Sequence, residues 1–282
     1  MRNLPRLLPA LFCICGLMAS GCHFGPRHWV DEDESLTIPV DTLSRVECRT
    51  HNGRIDFQAD PSALESIGVD VRKKAGGDDE ADALDCLAAI EIVKSYRGGV
   101  LTLGWRWSET RHSNWQAAVS FSVRPPPDVF ARAETHNGPV RLDGMHGGAA
   151  VLSHNGSLVL TDCADDVNAE THNGPIDVTL NSSNVRLKTH NGGIQARLNT
   201  TANIDGRIES HNGGILITFG PESSTRIECS SHNVALQAGA GVRVLSRSRR
   251  SLVTDVGDGE GRLVATTHNG RIKLEQAFKP RP

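Results

Sequence analysis

The chain has 282 residues, 38% of them hydrophobic, with 30 Lys and Arg against 33 Asp and Glu and a formal net charge of −3. That hydrophobic share fits a folded chain rather than a membrane bundle, and the acidic balance excludes the basic surface that nucleic-acid binding needs. Seven cysteines over this length do not form the dense framework of a small disulfide-stapled domain.

Residues 1–21 read as a signal peptide: Arg2 and Arg6 give a positive start, Leu7 to Met18 an apolar run, and Ala19-Ser20-Gly21 small residues before a cleavage point. The apolar run is too short to span a bilayer. Met18-Ala19-Ser20-Gly21-Cys22 resembles the lipobox of bacterial lipoproteins, with Ala19 where leucine is more usual. The resemblance implies a lipid on Cys22, export, and anchoring in a membrane of the cell envelope. Cleavage removes Arg2 and Arg6, taking the formal charge from −3 to −5.

Residues 22–39 are expected to be a tether and 40–130 a small β-rich N-terminal cap. Within the cap, Asp78 to Ile90 has the composition of a short helix, followed by strand-like runs at Glu91 to Tyr96, Val100 to Trp107 and Ala117 to Val123. Trp105, Trp107 and Trp115 are placed to cover the near end of the strands from residue 131 onward, since open strand edges aggregate.

The dominant feature is a Ser/Thr-His-Asn turn at Thr50-His51-Asn52, Thr135-His136-Asn137, Ser153-His154-Asn155, Thr171-His172-Asn173, Thr189-His190-Asn191, Ser210-His211-Asn212, Ser231-His232-Asn233 and Thr267-His268-Asn269. Chance would place about 0.6 His-Asn pairs in this composition, so eight constitute a repeat. From His136 the histidines are 18, 18, 18, 21, 21 and 36 residues apart, the period of a solenoid. The last gap fits two coils, the skipped one falling near Val242 to Leu252, where Arg247, Arg249 and Arg250 form a solvated turn.

Counting each histidine as zero, apolar residues recur at −5, −3, +4 and +6, as Val185, Leu187, Ile194 and Ala196 do around His190. A spacing of two means strands with one buried face. Each coil therefore holds two short strands, the Asn-Gly bend and a second turn such as Asp162 to Asp166 or Asn181 to Asn184. The expected fold is all-β: a β-solenoid, or β-helix, of 18–21-residue coils over 131–276, with the cap before it and a tail at 277–282.

In this register Asn52, Asn137, Asn155, Asn173, Asn191, Asn212, Asn233 and Asn269 point inward and hydrogen-bond from coil to coil, with Asn and Gly tolerating positive φ at the bend. Cys48 and Cys229 fall at the inward −3 position and read as small core residues. His136, His154, His172, His190, His211 and His232 then point outward as a file along one edge, about 4.8 Å apart.

The succession of Asn-Gly-x-Ile/Val turns, the block ending in Val123-Arg124-Pro125 and the lipoprotein start together resemble the bacterial putative-adhesin family of β-strand-repeat lipoproteins, a domain of unknown function, over roughly residues 40–275. The resemblance implies a β-solenoid in the periplasm or at the cell surface with no established activity. The histidine before each Asn-Gly departs from the family pattern.

The leading functional reading is a non-enzymatic envelope lipoprotein that presents its surface for adhesion or scaffolding, anchored to the membrane by lipid, with no cofactor and no nucleic acid. The surface partner, protein or glycan, is not named by the sequence. The alternative is a metal-binding or pH-responsive surface protein in which the histidine file holds Zn²⁺, Cu²⁺ or Ni²⁺ weakly. No carboxylate pair, nucleophile elbow or phosphate-binding glycine loop marks catalysis. Asp78-Asp79-Glu80 and Asp165-Asp166 read as solvated turns, the latter also a candidate calcium site.

Overall fold

Alternating apolar and polar positions make short strands with one buried face, and the breaks between them fix where the chain bends. The structure, a computed structural model, describes residues 25–231, 236–238 and 242–277. The signal peptide, Cys22, His232 and Asn233 lie outside the described residues.

The chain begins with β1 (His28–Pro39), β2 (Arg45–Arg49), β3 (Ile55–Gln58) and β4 (Ser66–Gly77), then α1 (Glu80–Ala88), then β5 (Ile90–Arg97), β6 (Val100–Trp107) and β7 (Gln116–Arg124). Helix α1 starts where Asp79 accepts a hydrogen bond from the Asp82 amide at 2.9 Å, and it buries Ala83 and Cys86, one turn apart. The regular part comes next as pairs: β8 (Phe130–Thr135) and β9 (Val140–Asp143), β10 (Ala149–Ser153) and β11 (Leu158–Cys163), β12 (Asp166–Thr171) and β13 (Ile176–Leu180). After these are β14 (Asn184–Thr189) and β15 (Ile194–Leu198), β16 (Asp205–Ser210) and β17 (Ile215–Phe219), and β18 (Thr225–Ser231) and β19 (Leu236–Ala238). The chain closes with β20 (Arg243–Arg247), β21 (Ser251–Val256), β22 (Arg262–Thr267) and β23 (Ile272–Gln276).

These strands form two large mixed sheets. The first member of each pair lies in a 12-stranded sheet and the second in an 11-stranded sheet, and equivalent residues pair in parallel: Val167 with Val185, Thr171 with Thr189, Ile176 with Ile194. The −5, −3, +4 and +6 side chains meet between the sheets, where Val185, Leu187, Ile194 and Ala196 are buried in one continuous apolar cluster. Cys48 and Cys229 are buried in the same cluster, as the −3 position requires.

The segment read as a cap continues both sheets. β2 pairs in parallel with β8 and β3 with β9, so the turn at Thr50-His51-Asn52 is in register with that at Thr135-His136-Asn137. β6 extends one sheet beyond β2, and β7 extends the other beyond β3. β1 and β5 form the outer edges at this end.

At the other end the structure departs from the expectation of a skipped coil near Val242 to Leu252. Those residues make an antiparallel hairpin of β20 and β21, closed at Ser248, whose amide donates to the Ser251 carbonyl at 2.8 Å. β21 pairs antiparallel with β18, burying Leu252, Thr254 and Val256, while β20 is exposed along its length. The segment lacks the Asn-Gly pair that makes the close turn elsewhere, and it carries the exposed run Arg247, Arg249 and Arg250. The hairpin keeps them outside.

The order of the last layers also differs from chain order. β22 sits between β16 and β18, pairing Thr267 with Ser210 on one side and with Ser231 on the other. β23 likewise lies between β17 and β19.

Candidate functional site

The site is the edge where the two sheets meet at the Ser/Thr-His-Asn turns. Its foundation is the Ser or Thr at −1, which points inward from the end of its strand and is buried in Thr135, Ser153, Thr171, Thr189, Ser210, Ser231 and Thr267. Each hydroxyl bridges two layers. Thr171 Oγ1 donates to the Gly156 carbonyl of the layer before at 3.0 Å and accepts from the Gly174 amide of its own turn at 3.3 Å. Ser210 does the same with the Gly192 carbonyl at 2.9 Å and the Gly213 amide at 2.8 Å.

The glycine at +2 is required by close approach and not by backbone conformation, correcting the expectation of positive φ at the bend: none of the turn glycines has it. A Cβ on Gly174 would stand 1.9 Å from the Gly156 carbonyl oxygen, and one on Gly213 1.8 Å from that of Gly192. At the described turn glycines the backbones stack too tightly for a side chain; Val234, which takes this position in one repeat, lies outside the described residues.

With glycine and hydroxyl inside, both His and Asn face solvent. That corrects the inward placement of the asparagines: Asn52, Asn137, Asn155, Asn173, Asn191, Asn212 and Asn269 are all exposed. The bend needs three residues to cross from one sheet to the other, and glycine takes the inward position that strict alternation assigned to Asn. The amides nevertheless join layer to layer: Asn137 donates to Asn52 Oδ1 at 2.6 Å, Asn173 to Asn155 at 2.7 Å, Asn191 to Asn173 at 2.6 Å, Asn212 to Asn191 at 2.7 Å and Asn269 to Asn212 at 2.8 Å. Asn155 likewise donates to Asn137 at 2.6 Å.

The histidines are exposed and stacked. Ring centroids of His154, His172, His190 and His211 succeed one another at 4.6–4.8 Å with interplanar angles of 1–3°. His51 and His136 continue the row at one end, tilted by 20–22° and at 4.7–4.8 Å, and His136 Nδ1 lies 3.0 Å from Asn137 Oδ1. At the other end His268 stacks on His211 at 4.8 Å and 1°. Two residues that sequence order left out of the file, His51 and His268, therefore belong to it. The next ring after His211 is His268 because its repeat is inserted there.

Such a row has definite chemistry. The lone pair of a neutral imidazole lies in the ring plane, so parallel rings present their nitrogens side by side and not toward each other. Two zinc–nitrogen bonds together span only about 4.2 Å, less than the observed ring separation, so neighbouring rings as stacked do not converge on one ion. Among the described residues no group of three or more His, Cys, Asp or Glu is arranged to hold a metal. The turn bends with positive φ at Asp162 and Asp165; of the candidate calcium pair, Asp166 accepts from Asn184 at 2.9 Å, and Asp162 beside it accepts from Asn181 at 2.7 Å.

Protonation of His190, in the middle of the row, is opposed by its surroundings. Loss of hydration and then the neighbouring His211 and His172 hold His190 below the ordinary histidine value. The thiols offer no nucleophile. Cys48, Cys86, Cys163 and Cys229 are free and buried, and burial pushes Cys163 to about 11 and Cys229 to about 12.

An open groove of about 820 Å³ runs beside the rings from His154 to His268. Its far wall is the outward −2 row, Leu152, Glu170, Lys188 and Glu209, and Arg250 of the hairpin turn stands at one end. Glu170 is paired with Lys188 at 2.8 Å, and Glu209 with Arg207. A smaller cavity of about 460 Å³ lies at the other end of the row, lined by His51, Asn52, Trp105, Trp107, Arg111 and Gln116. Trp105 Nε1 donates to Thr50 Oγ1 at 3.2 Å, which fixes the indole just beyond the first turn. Trp115, by contrast, is fully buried and donates to Asp82 at 2.7 Å.

No protein-family model and no curated protein matches the chain. Among solved structures it is similar to a putative cell adhesion protein from Clostridium sporogenes, with a TM-score of 0.36 and 9% identity over 87% of this chain and 100% of that one. It is also similar to a putative adhesin from Bacteroides fragilis, with a TM-score of 0.41 and 10% identity over 88% and 97% of the two chains. A putative adhesin from Parabacteroides merdae gives a TM-score of 0.32 and 12% identity over 88% and 97%. At these scores the likeness transfers no site residue. No helix among the described residues is long and apolar enough to cross a membrane.

Proposed function

We propose that this is a non-enzymatic envelope lipoprotein, exported by the signal peptide of residues 1–21 and held at a membrane through lipidated Cys22. Its two-strand repeats form a β-solenoid that presents one long edge for adhesion or scaffolding. The observation that carries this reading is the row of exposed, parallel-stacked histidines and hydrogen-bonded asparagines, held from beneath by buried hydroxyl bridges between layers. A rigid comb of identical side chains suits repeated contact with an extended partner, and it offers no convergent acid, base or nucleophile for catalysis.

The reading is tested in cells that lack the protein and are complemented with the native chain, with Cys22→Ser, or with His172→Ala/His190→Ala/His211→Ala. Native complementation should restore surface attachment or envelope integrity, Cys22→Ser should release the protein from the membrane fraction, and the triple variant should stay anchored without restoring the phenotype. Unchanged attachment and integrity in cells lacking the protein would overturn the adhesion and scaffolding role.

A second reading, a pH-responsive surface, is favoured by the parallel stacking around His190. Charging adjacent rings places like charges side by side, so acidification loosens or splays the edge.

A further inference from the structure

We infer that the groove beside the histidine row is a binding site for an unbranched, uncharged β-1,4-linked hexose chain lying parallel to the row, with one end against Trp105 and Trp107. The inference rests on the adhesive reading above and names its ligand class. Four consecutive rings, His154, His172, His190 and His211, have ring nitrogens without a hydrogen-bond partner among the described residues, and they recur every 4.6–4.8 Å. Because their faces are occupied by stacking, they offer only edges, each a donor and an acceptor.

The step of the row selects the kind of polymer. An extended peptide presents side chains on one face about every 6.7 Å, which falls out of phase with the rings within two layers. An extended β-1,4-linked hexose chain turns over at each residue, so the same hydroxyl edge recurs about every two strand spacings and stays in step with alternate imidazoles. The opposite wall carries two carboxylates, Glu170 and Glu209, and the cations Lys188 and Arg250, a charge balance that gives no attraction for a nucleic acid or a polyanion. Carboxylates are strong acceptors for sugar hydroxyls, while exposed Leu152 and the Lys188 stem supply apolar surface for ring C–H groups. The cavity at the row's other end has the composition of a sugar subsite, two indoles with Asn52 and Gln116.

The test uses the purified protein with cellohexaose, mannohexaose and chitohexaose, and with cellobiose as the short comparison. Titrations are followed by calorimetry and by the imidazole resonances in NMR. At least one hexaose should bind with a dissociation constant below about 1 mM, shift the histidine ring signals, and bind about tenfold more tightly than its disaccharide. His172→Ala/His190→Ala/His211→Ala should weaken binding about tenfold with an unchanged circular dichroism spectrum. Should that variant fail to fold, Trp107→Ala with the native length series decides the matter, since the gain from disaccharide to hexaose should shrink. No binding by any hexaose, or binding that leaves the imidazole signals unmoved, would overturn the inference. Attachment lost in cells without the protein, together with absent hexaose binding, would sink the glycan site and leave the adhesive reading standing.

Discussion

At the residue scale, the edge is held from beneath. Thr171 makes two hydrogen bonds in a water-free position, so Thr171→Val should cost about 2 kcal/mol in a urea titration, because the Gly156 carbonyl loses a donor that nothing replaces. Asn173→Ala breaks two amide links, but in solvent, where water substitutes, and should cost about 1 kcal/mol. A larger loss for Asn173 than for Thr171 would contradict this ranking. Gly174→Ala should cost about 3 kcal/mol by forcing two backbones apart, whereas Gly193→Ala, whose nearest neighbour would be 3.5 Å away, should gain about 0.5 kcal/mol. The depressed His190 sets the pH dependence: the unfolded chain takes up the proton near the ordinary value of 6.5 while the folded ring resists it. Stability should therefore be full above about 6.5 and fall as the pH drops through the window down to the folded value; equilibrium unfolding at pH 7.5 and 5.5 checks the sign, and His190→Gln should flatten the slope. The inward Ser/Thr was legible in the strict −1 column of the repeat. The fate of Asn was not, because a bend breaks the alternation that strand reasoning extends through it.

At the scale of the element, periodicity located most strands, and composition placed a helix within Asp78 to Ile90, where α1 is capped by Asp79 and buries Ala83 and Cys86. The hairpin of β20 and β21 escaped because the 36-residue gap from His232 to His268 has the length of two 18-residue coils, and length outweighed the absence of the Asn-Gly pair near Val242 to Leu252. What holds the hairpin is Asp255, a fully buried carboxylate reached by Arg226 at 2.9 Å and Arg243 at 2.7 Å, with the Arg226 bond first among the causes that keep its pKa low. Both guanidiniums are half or more exposed, which limits the cost of their unpairing. Asp255→Ala should thus destabilise the protein by about 2 kcal/mol, less than loss of a fully buried pair. Amide exchange should rise in β18, β20 and β21 first, and uniform exchange across β8 to β15 would show that the hairpin is not a separate closing element.

At the scale of the whole molecule, the repeat announced stacked layers, and the two mixed sheets arise from it, but their order did not. A strand carrying the same −5, −3 and −1 pattern fits beside any of its copies, so Ser210 pairs as well with Thr267, 57 positions along the chain, as Thr189 does with Ser210. The place of His268 next to His211 in the histidine row depends on that insertion. It is tested most directly by cysteine pairs on the edge, since neighbouring strands place Cα atoms about 4.8 Å apart, inside the disulfide range of about 4.4–6.8 Å. The four buried cysteines do not compete. His211→Cys/His268→Cys should oxidise readily to an intramolecular disulfide, and His190→Cys/His268→Cys, two layers apart, should remain reduced. Cross-linking of the second pair, or of neither, would contradict the row as described.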